Sequence, residues 1–179
     1  MFKKFYPYEY VESVFMIDFE KLYLKGYRAL IFDIDNTLVH HGDDSTPEVD
    51  SLFQKVQAIG FKTLLLTDND EARVQRFIKN IDTMYICRAG KPDTAGYKKA
   101  ISMLGEEKKR IVCIGDQIFK DILGANQSGM ASILVKFIRL ETETKIGKRR
   151  YLEKLLLWFY RHNRSAVHRL GDIQKEKEN

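Results

Sequence analysis

Asp33 and Asp35 are the residues in this sequence best placed to do chemistry. They follow the apolar stretch Ala29-Leu30-Ile31-Phe32, with Ile34 between them, and Asn36 and Thr37 come next. Residues two apart on a strand point to the same side, so both carboxylates can converge just past the strand's end. Two carboxylates held that close repel unless a cation, a proton or a reaction intermediate lies between them. The pair therefore suits a reaction in which one carboxylate attacks or binds metal and the other moves protons.

Three further polar groups occupy equivalent places beyond apolar runs. Thr67, Asp68 and Asn69 follow Leu64-Leu65-Leu66. Lys91 lies in Arg88-Ala89-Gly90-Lys91-Pro92, and Gly115-Asp116 follows Ile111-Val112-Cys113-Ile114, with Asp121 five residues later. Together they predict a phosphoryl-transfer site. In that reading Asp33 attacks phosphorus and Asp35 serves as general acid and then base. Asp33, Asp116 and Asp35, the last through its backbone carbonyl, hold Mg2+; an all-oxygen set suits such a hard cation. Thr67 and Lys91, with Asp68 beside them, border the phosphoryl oxygens. Thr37, Asn69 and Asp121 support the site. For Thr67 alone a helix N-cap is the plainer role.

The elements that must position these groups alternate between strand and helix. Strands are expected at 28–34, 61–66, 84–87, 111–115 and 132–136. Helices are expected at 47–59, after Thr46-Pro47 and before Gly60, and at 71–79, 94–104 and 118–129, with a short one capped by Asp18. Five strands with crossover helices make an α/β, doubly wound parallel sheet, whose carboxyl ends form one edge where ligands bind. The chain divides into an N-terminal extension, 1–27, a core, 28–137, and a C-terminal basic amphipathic helix with a tail, 138–179, whose last nine residues are expected to fray.

With 179 residues and 44% hydrophobic content, the chain can bury one sizeable core, and disorder is excluded. Its longest apolar run, Leu155 to Tyr160, is far short of the ~20 residues that span a bilayer. The first residues are basic, but acids follow too soon for a secretory signal. Cys87 and Cys113 show neither metal-ligand spacing nor a disulfide framework, which points to a reducing, cytoplasmic compartment. The net charge is +5, yet residues 136–170 hold ten Lys/Arg against three Asp/Glu, so the rest of the chain is slightly acidic. An anionic partner belongs with that segment. There Trp158, Phe159 and Tyr160 among Lys and Arg leave three readings open: a helix packed on the core, an in-plane anchor on the inner face of an anionic membrane, or a contact with RNA.

The four motifs in this order resemble the haloacid dehalogenase (HAD) superfamily of phosphatases: Asp33-Ile34-Asp35-Asn36-Thr37, Thr67, Lys91 and Gly115-Asp116 through Asp121. Phe5-Tyr6-Pro7, Tyr10-Val11-Glu12-Ser13, Ala89-Gly90-Lys91-Pro92 and Gly115-Asp116-Gln117 are similar to subfamily IIIA of the YqeG type. The resemblance covers residues 5–137 and implies a Rossmann-like HAD core and a Mg2+-dependent phosphatase with an aspartate nucleophile. It also implies phosphatidylglycerophosphate as the leading substrate. Two positions depart from the subfamily pattern: Asp68 stands where asparagine is usual, and Lys120 where threonine is usual. The intervals Thr37–Thr67 and Thr67–Lys91 are too short for a cap domain, so an open site is expected. Expected partners are a phosphorylated substrate, including a lipid head group, an anionic membrane surface met by the C-terminal helix, and a second copy of the chain, with nucleic acid disfavoured. The alternatives are a phosphatase of a soluble sugar or nucleotide phosphate, and a non-turnover RNA- or ribosome-binding adaptor on the same scaffold.

Overall fold

The structure, a computed structural model, describes residues 2–139 and 147–175. Six strands form one sheet: β1 (Glu9–Val11), β2 (Ala29–Phe32), β3 (Lys62–Leu66), β4 (Met84–Ile86), β5 (Ile111–Gly115) and β6 (Ala131–Val135). The order is β1-β6-β5-β2-β3-β4, and every pairing is parallel. Parallel strands need crossovers, which α2 (Pro47–Ile59), α3 (Glu71–Phe77), α4 (Thr94–Leu104) and α5 (Leu123–Ser128) supply. Two helices lie outside these crossovers, α1 (Phe19–Leu24) before β2 and α6 (Lys148–His162) after β6.

Alternation along the strands divides the core. Leu30 and Phe32 of β2 face Phe53 and Val56 of α2, together with α1 and α3. Ala29 and Ile31 face the other way, onto Tyr97 and Ala100 of α4 and Ala125 of α5. All four β2 residues are buried, as expected for a central strand covered on both faces. The helix signals operate as the sequence predicts: Asp18 and Thr46 accept N-cap bonds from Lys21 and Val49, and Gly60 closes α2 at φ 113°.

The sheet has six strands, not five. Three-residue β1 pairs alongside β6 at the edge, Glu9 opposite Ile133. It is too short to show a period, and a buried glutamate opens it. The strand at 28–34 ends at Phe32, so Asp33 and Asp35 sit on the turn beyond it. The helix expected at 118–129 opens with a π-helical turn, Ile118–Ile122, before α5.

The tail is docked as far as it is described. Ile173 is fully buried, its carbonyl accepts the Asp18 N–H at 2.8 Å, and Gln174 bridges to Ile17. Apolar Ile173, amid polar neighbours, gives too little pattern to foretell this. Residues 140–146, at the start of the C-terminal segment, and 176–179 lie outside the described residues.

Candidate active site

The carboxyl ends of β2, β3 and β5, with the loop after β4, bring the four motifs together. Lys91 is the hub. Its Nζ donates to Asp33 Oδ1 at 2.5 Å and to Asp121 Oδ1 at 2.7 Å, and all three side chains are less than a tenth exposed. Thr37 Oγ1 donates to Asp33 Oδ2 at 3.2 Å. Carboxylate oxygens of Asp33, Asp116 and Asp121 all lie within 4.8 Å of one another.

Burial sets the electrostatics. It pushes the Asp33 carboxyl up to about 6, against the pull of Lys91. It pushes Asp116 to about 8, and the neighbouring Asp33 charge adds to this. For Lys91 burial acts downward, but Asp121 and Asp33 outweigh it and hold the ammonium firmly charged.

The π-helical turn aims Asp121. Its Oδ2 accepts the Gln117 N–H at 3.0 Å while Oδ1 takes Lys91. Gly115 makes room for it: a Cβ there would stand 2.3 Å from Asp121 Cγ. Single wide π-type turns of this kind are frequent at functional sites.

Asp35 lies to one side of this cluster. Oδ2 accepts from Asn69 at 2.6 Å, and Oδ1 accepts the Gly42 N–H at 3.0 Å and Arg73 at 3.2 Å. His41 Nδ1 is 3.5 Å from Oδ2. Burial works to raise this carboxyl, but the donors prevail and hold it below the usual range. Its side chain is outside the three-acid cluster.

Thr67, 2% exposed, accepts the Asn69 N–H at 3.2 Å and is not a helix cap. Asp70 caps α3 instead, through the Arg73 N–H. Asp68 points to Lys91 and Lys120: Oδ1 accepts the Lys91 N–H at 2.9 Å and Oδ2 accepts Lys120 Nζ at 2.8 Å. Burial would raise Asp68, yet these bonds hold it low. The two departures from the subfamily pattern thus pair with each other.

Two site residues escape the motif reading. Arg73 of α3 holds Asp35 and also donates to the Asp43 carbonyl at 2.5 Å. Its only signal in the sequence is a position one turn past the Asp70 cap. Arg150 of α6 pairs with Asp116 Oδ2, donates to the Asp116 carbonyl at 2.7 Å and bonds Glu153 at 2.9 Å. Glu153 in turn accepts the Ile118 N–H at 2.8 Å. Nothing in local spacing links residue 150 to 116. The intervals between the motifs hold no cap domain, but α6 covers the Asp116 side, so the site is less open than expected.

The site's donor set suits a hard divalent cation. Asp33, Asp116 and Asp121 offer only oxygen, and Asp116 Oδ1 is buried with no hydrogen-bond partner. An orphaned carboxylate oxygen beside two further acids is poorly accounted for without a cation.

A parallel sheet with an aspartate-lysine-aspartate cluster at its carboxyl edge defines a class of hydrolases, and the comparisons agree. Residues 41–129 match the family described as haloacid dehalogenase-like hydrolases. The chain is 32% identical to the protein named "Probable phosphatase YqeG" of Bacillus subtilis (strain 168), over 99% of this chain and 100% of that one. Among solved structures, the cobalt-bound deoxy-D-mannose-octulosonate 8-phosphate phosphatase of Haemophilus influenzae shares the fold. It has a TM-score of 0.51 and 14% identity, over 77% of this chain and 90% of that one. An uncharacterized protein from Listeria monocytogenes serotype 4b does so at a TM-score of 0.53 and 18% identity, over 75% and 99%. The chain belongs to the haloacid dehalogenase-like hydrolases and, within them, to the phosphatases of the YqeG type.

Proposed function

We propose that this protein is a Mg2+-dependent phosphomonoesterase that works through an aspartyl-phosphate at an anionic membrane surface, with phosphatidylglycerophosphate as its leading substrate. The observation that carries the chemistry is the buried convergence of Asp33, Asp116 and Asp121 around the Lys91 ammonium.

Carboxylate oxygens of Asp33 and Asp116, with the Asp35 backbone carbonyl and Asp121 behind them, would hold the cation. When bound, it neutralises the like charge between a carboxylate and a phosphate dianion. Asp33 Oδ attacks phosphorus as the bond to the leaving alkoxide breaks. Lys91 and Thr67 bind the phosphoryl oxygens, where transition-state charge develops. Asp35 gives a proton to the alkoxide and later removes one from the water that hydrolyses the aspartyl-phosphate. Asn69, Gly42 and Arg73 favour its ionised form, so Asp35 must take up a proton before the first step.

The surface of α6 supports the membrane reading. Tyr151, Leu152, Leu155, Trp158 and Phe159 are exposed, and at helical spacing they share one face. Arg149, Lys154 and Arg161 flank that face. An exposed apolar stripe with aromatic rings beside cations fits the interface of an anionic bilayer. No helix among the described residues is long and apolar enough to cross a membrane.

The decisive experiment is Mg2+-dependent phosphate release from phosphatidylglycerophosphate in mixed micelles, with a soluble aryl phosphate alongside and Asp33→Asn as control. Release from both substrates, faster from the lipid and absent in the variant, is expected. No release from either sinks the enzyme reading. Flotation with vesicles containing anionic lipid, but not with neutral ones, is the matching test of the surface.

A further inference from the structure

A groove of about 350 Å³ lies between α6 and the β1–β6 edge of the sheet, and Asp116 is among its lining residues. That volume lies at the small end of the range for ligand sites. Its surface is mainly apolar, with Leu134, Val135, Phe137, Leu157 and Trp158 among the lining residues. Lys136, Lys154 and Arg161 are the cations along it. Arg150 lines it beside Asp116, and the Arg150 guanidinium lies 4.6 Å from the Phe137 ring centroid.

Two contacts join this groove to the catalytic cluster. Asp116 belongs to both. The Ile138 N–H donates to the Asn36 carbonyl at 3.0 Å, which sets the groove's Phe137 beside the turn that carries Asp35, the general acid of the reading above. The groove is thus an apolar surface adjoining the acid cluster, with the Arg150–Asp116 pair at the junction, and the remaining atoms of a substrate bound by its phosphate at Lys91 and Thr67 can extend toward it. Cations along the groove favour a molecule that carries negative charge next to its alkyl portion.

We propose that the groove beneath α6 is the leaving-group subsite, and that it takes the alkyl portion of an amphiphilic phosphate monoester. The inference rests on the phosphatase reading above and extends it, because α6 becomes a specificity element where other members of the class would use an inserted cap.

Trp158 makes the test independent of turnover. It is the chain's single tryptophan, it lines the groove and it is 54% exposed. The full chain with Mg2+ is titrated with non-hydrolysable n-alkylphosphonates from ethyl to octyl, below their micelle-forming concentrations, while tryptophan emission is followed. Each buried methylene strengthens binding about fourfold, so if three of the six added groups enter, octyl binds on the order of 50-fold tighter than ethyl. Its binding also shifts Trp158 emission to the blue. Leu157→Phe, which narrows the groove, flattens the chain-length series and leaves ethylphosphonate binding unchanged. Lys154→Glu, at an exposed position, weakens octylphosphonate binding without disturbing the fold.

Equal affinity for ethyl and octyl overturns the proposal, and so does a chain-length series that neither variant alters. Phosphate release from the matching alkyl phosphates separates the two readings. Hydrolysis without chain-length dependence removes the groove and keeps the phosphatase. Chain-length-dependent binding without hydrolysis does the reverse.

Discussion

Replacing Lys91 with methionine tests the centre of the site. The ammonium stands between Asp33 and Asp121, and the three side chains are 3%, 9% and 2% exposed. Methionine fills most of the volume but leaves two buried carboxylates facing each other. Breaking a buried ion pair from one side costs about 3–5 kcal/mol. For a chain of this size each kcal/mol lowers Tm by about 2–4 °C, so Lys91→Met melts roughly 6–20 °C lower in EDTA. Adding Asp121→Asn removes one of the stranded charges and returns about half of that loss, a strong departure from additivity. Phosphatase activity falls about 10²- to 10³-fold in Lys91→Met, the range for losing one donor to transition-state charge. Differential scanning fluorimetry on the four proteins of the cycle, with and without Mg2+, reads the stability. A Tm for Lys91→Met within 2 °C of the parent, or purely additive variants, would refute the hub role.

Gly115→Ala forces a methyl to within 2.3 Å of Asp121 Cγ; it destabilises by about 1–3 kcal/mol in urea unfolding and displaces Asp121, so activity drops with it. Lys120→Thr leaves Asp68 uncompensated beside the phosphate site and raises KM several-fold; Asp68→Asn in the same chain brings KM back, while the pair itself, about a third exposed, contributes only ~0.2–1 kcal/mol to stability. Burial raises the folded-state values of Asp33, to about 6, and Asp116, to about 8, so both hold protons more tightly folded than unfolded. Their contribution is full below the unfolded value near 4 and is lost as pH climbs through 6 and 8, so the protein without added cation melts lower at pH 8 than at pH 5. Mg2+ counters the repulsion between ionised acids, so its stabilisation grows over the same interval; an equal Mg2+ shift in Tm at pH 5.5 and pH 8 would contradict this.

What could be read in the sequence was whatever depends on short spacing. The apolar runs before Asp33, Thr67 and Asp116 located β2, β3 and β5, because a strand buried on both faces is a continuous apolar stretch. Parallel pairing then brought the motifs to one edge without any further information. The contacts that stayed hidden are long-range or break a local rule. Arg150 meets Asp116 across 34 residues and Asn69 meets Asp35 across 34, and no periodicity encodes either. β1 was missed because three residues show no alternation and Glu9 puts a carboxylate inside. The π-helical turn was missed because Ile118 to Ile122 reads as an ordinary amphipathic start. Its width comes from the Ile122 N–H bonding back to the Gln117 carbonyl at 3.2 Å, a pairing that the residue types do not announce.

The two departures at positions 68 and 120 show how such a site tolerates an added charge. A carboxylate at 68 would ordinarily oppose phosphate binding, since its repulsion falls on the same oxygens that Lys91 attracts. Here one Asp68 oxygen is occupied by the Lys91 N–H and the other by the Lys120 ammonium, so both oxygens have donors and the added charge is offset by a neighbouring cation. The exchange adds an anion and a cation together and leaves the local net charge unchanged. The same logic applies at Asp116, where Arg150 neutralises one oxygen and leaves Oδ1 for a cation. An arginine borne on α6 therefore ties the C-terminal segment to the acid cluster, so releasing α6 would change the charge balance of the catalytic centre and the shape of its groove in one step.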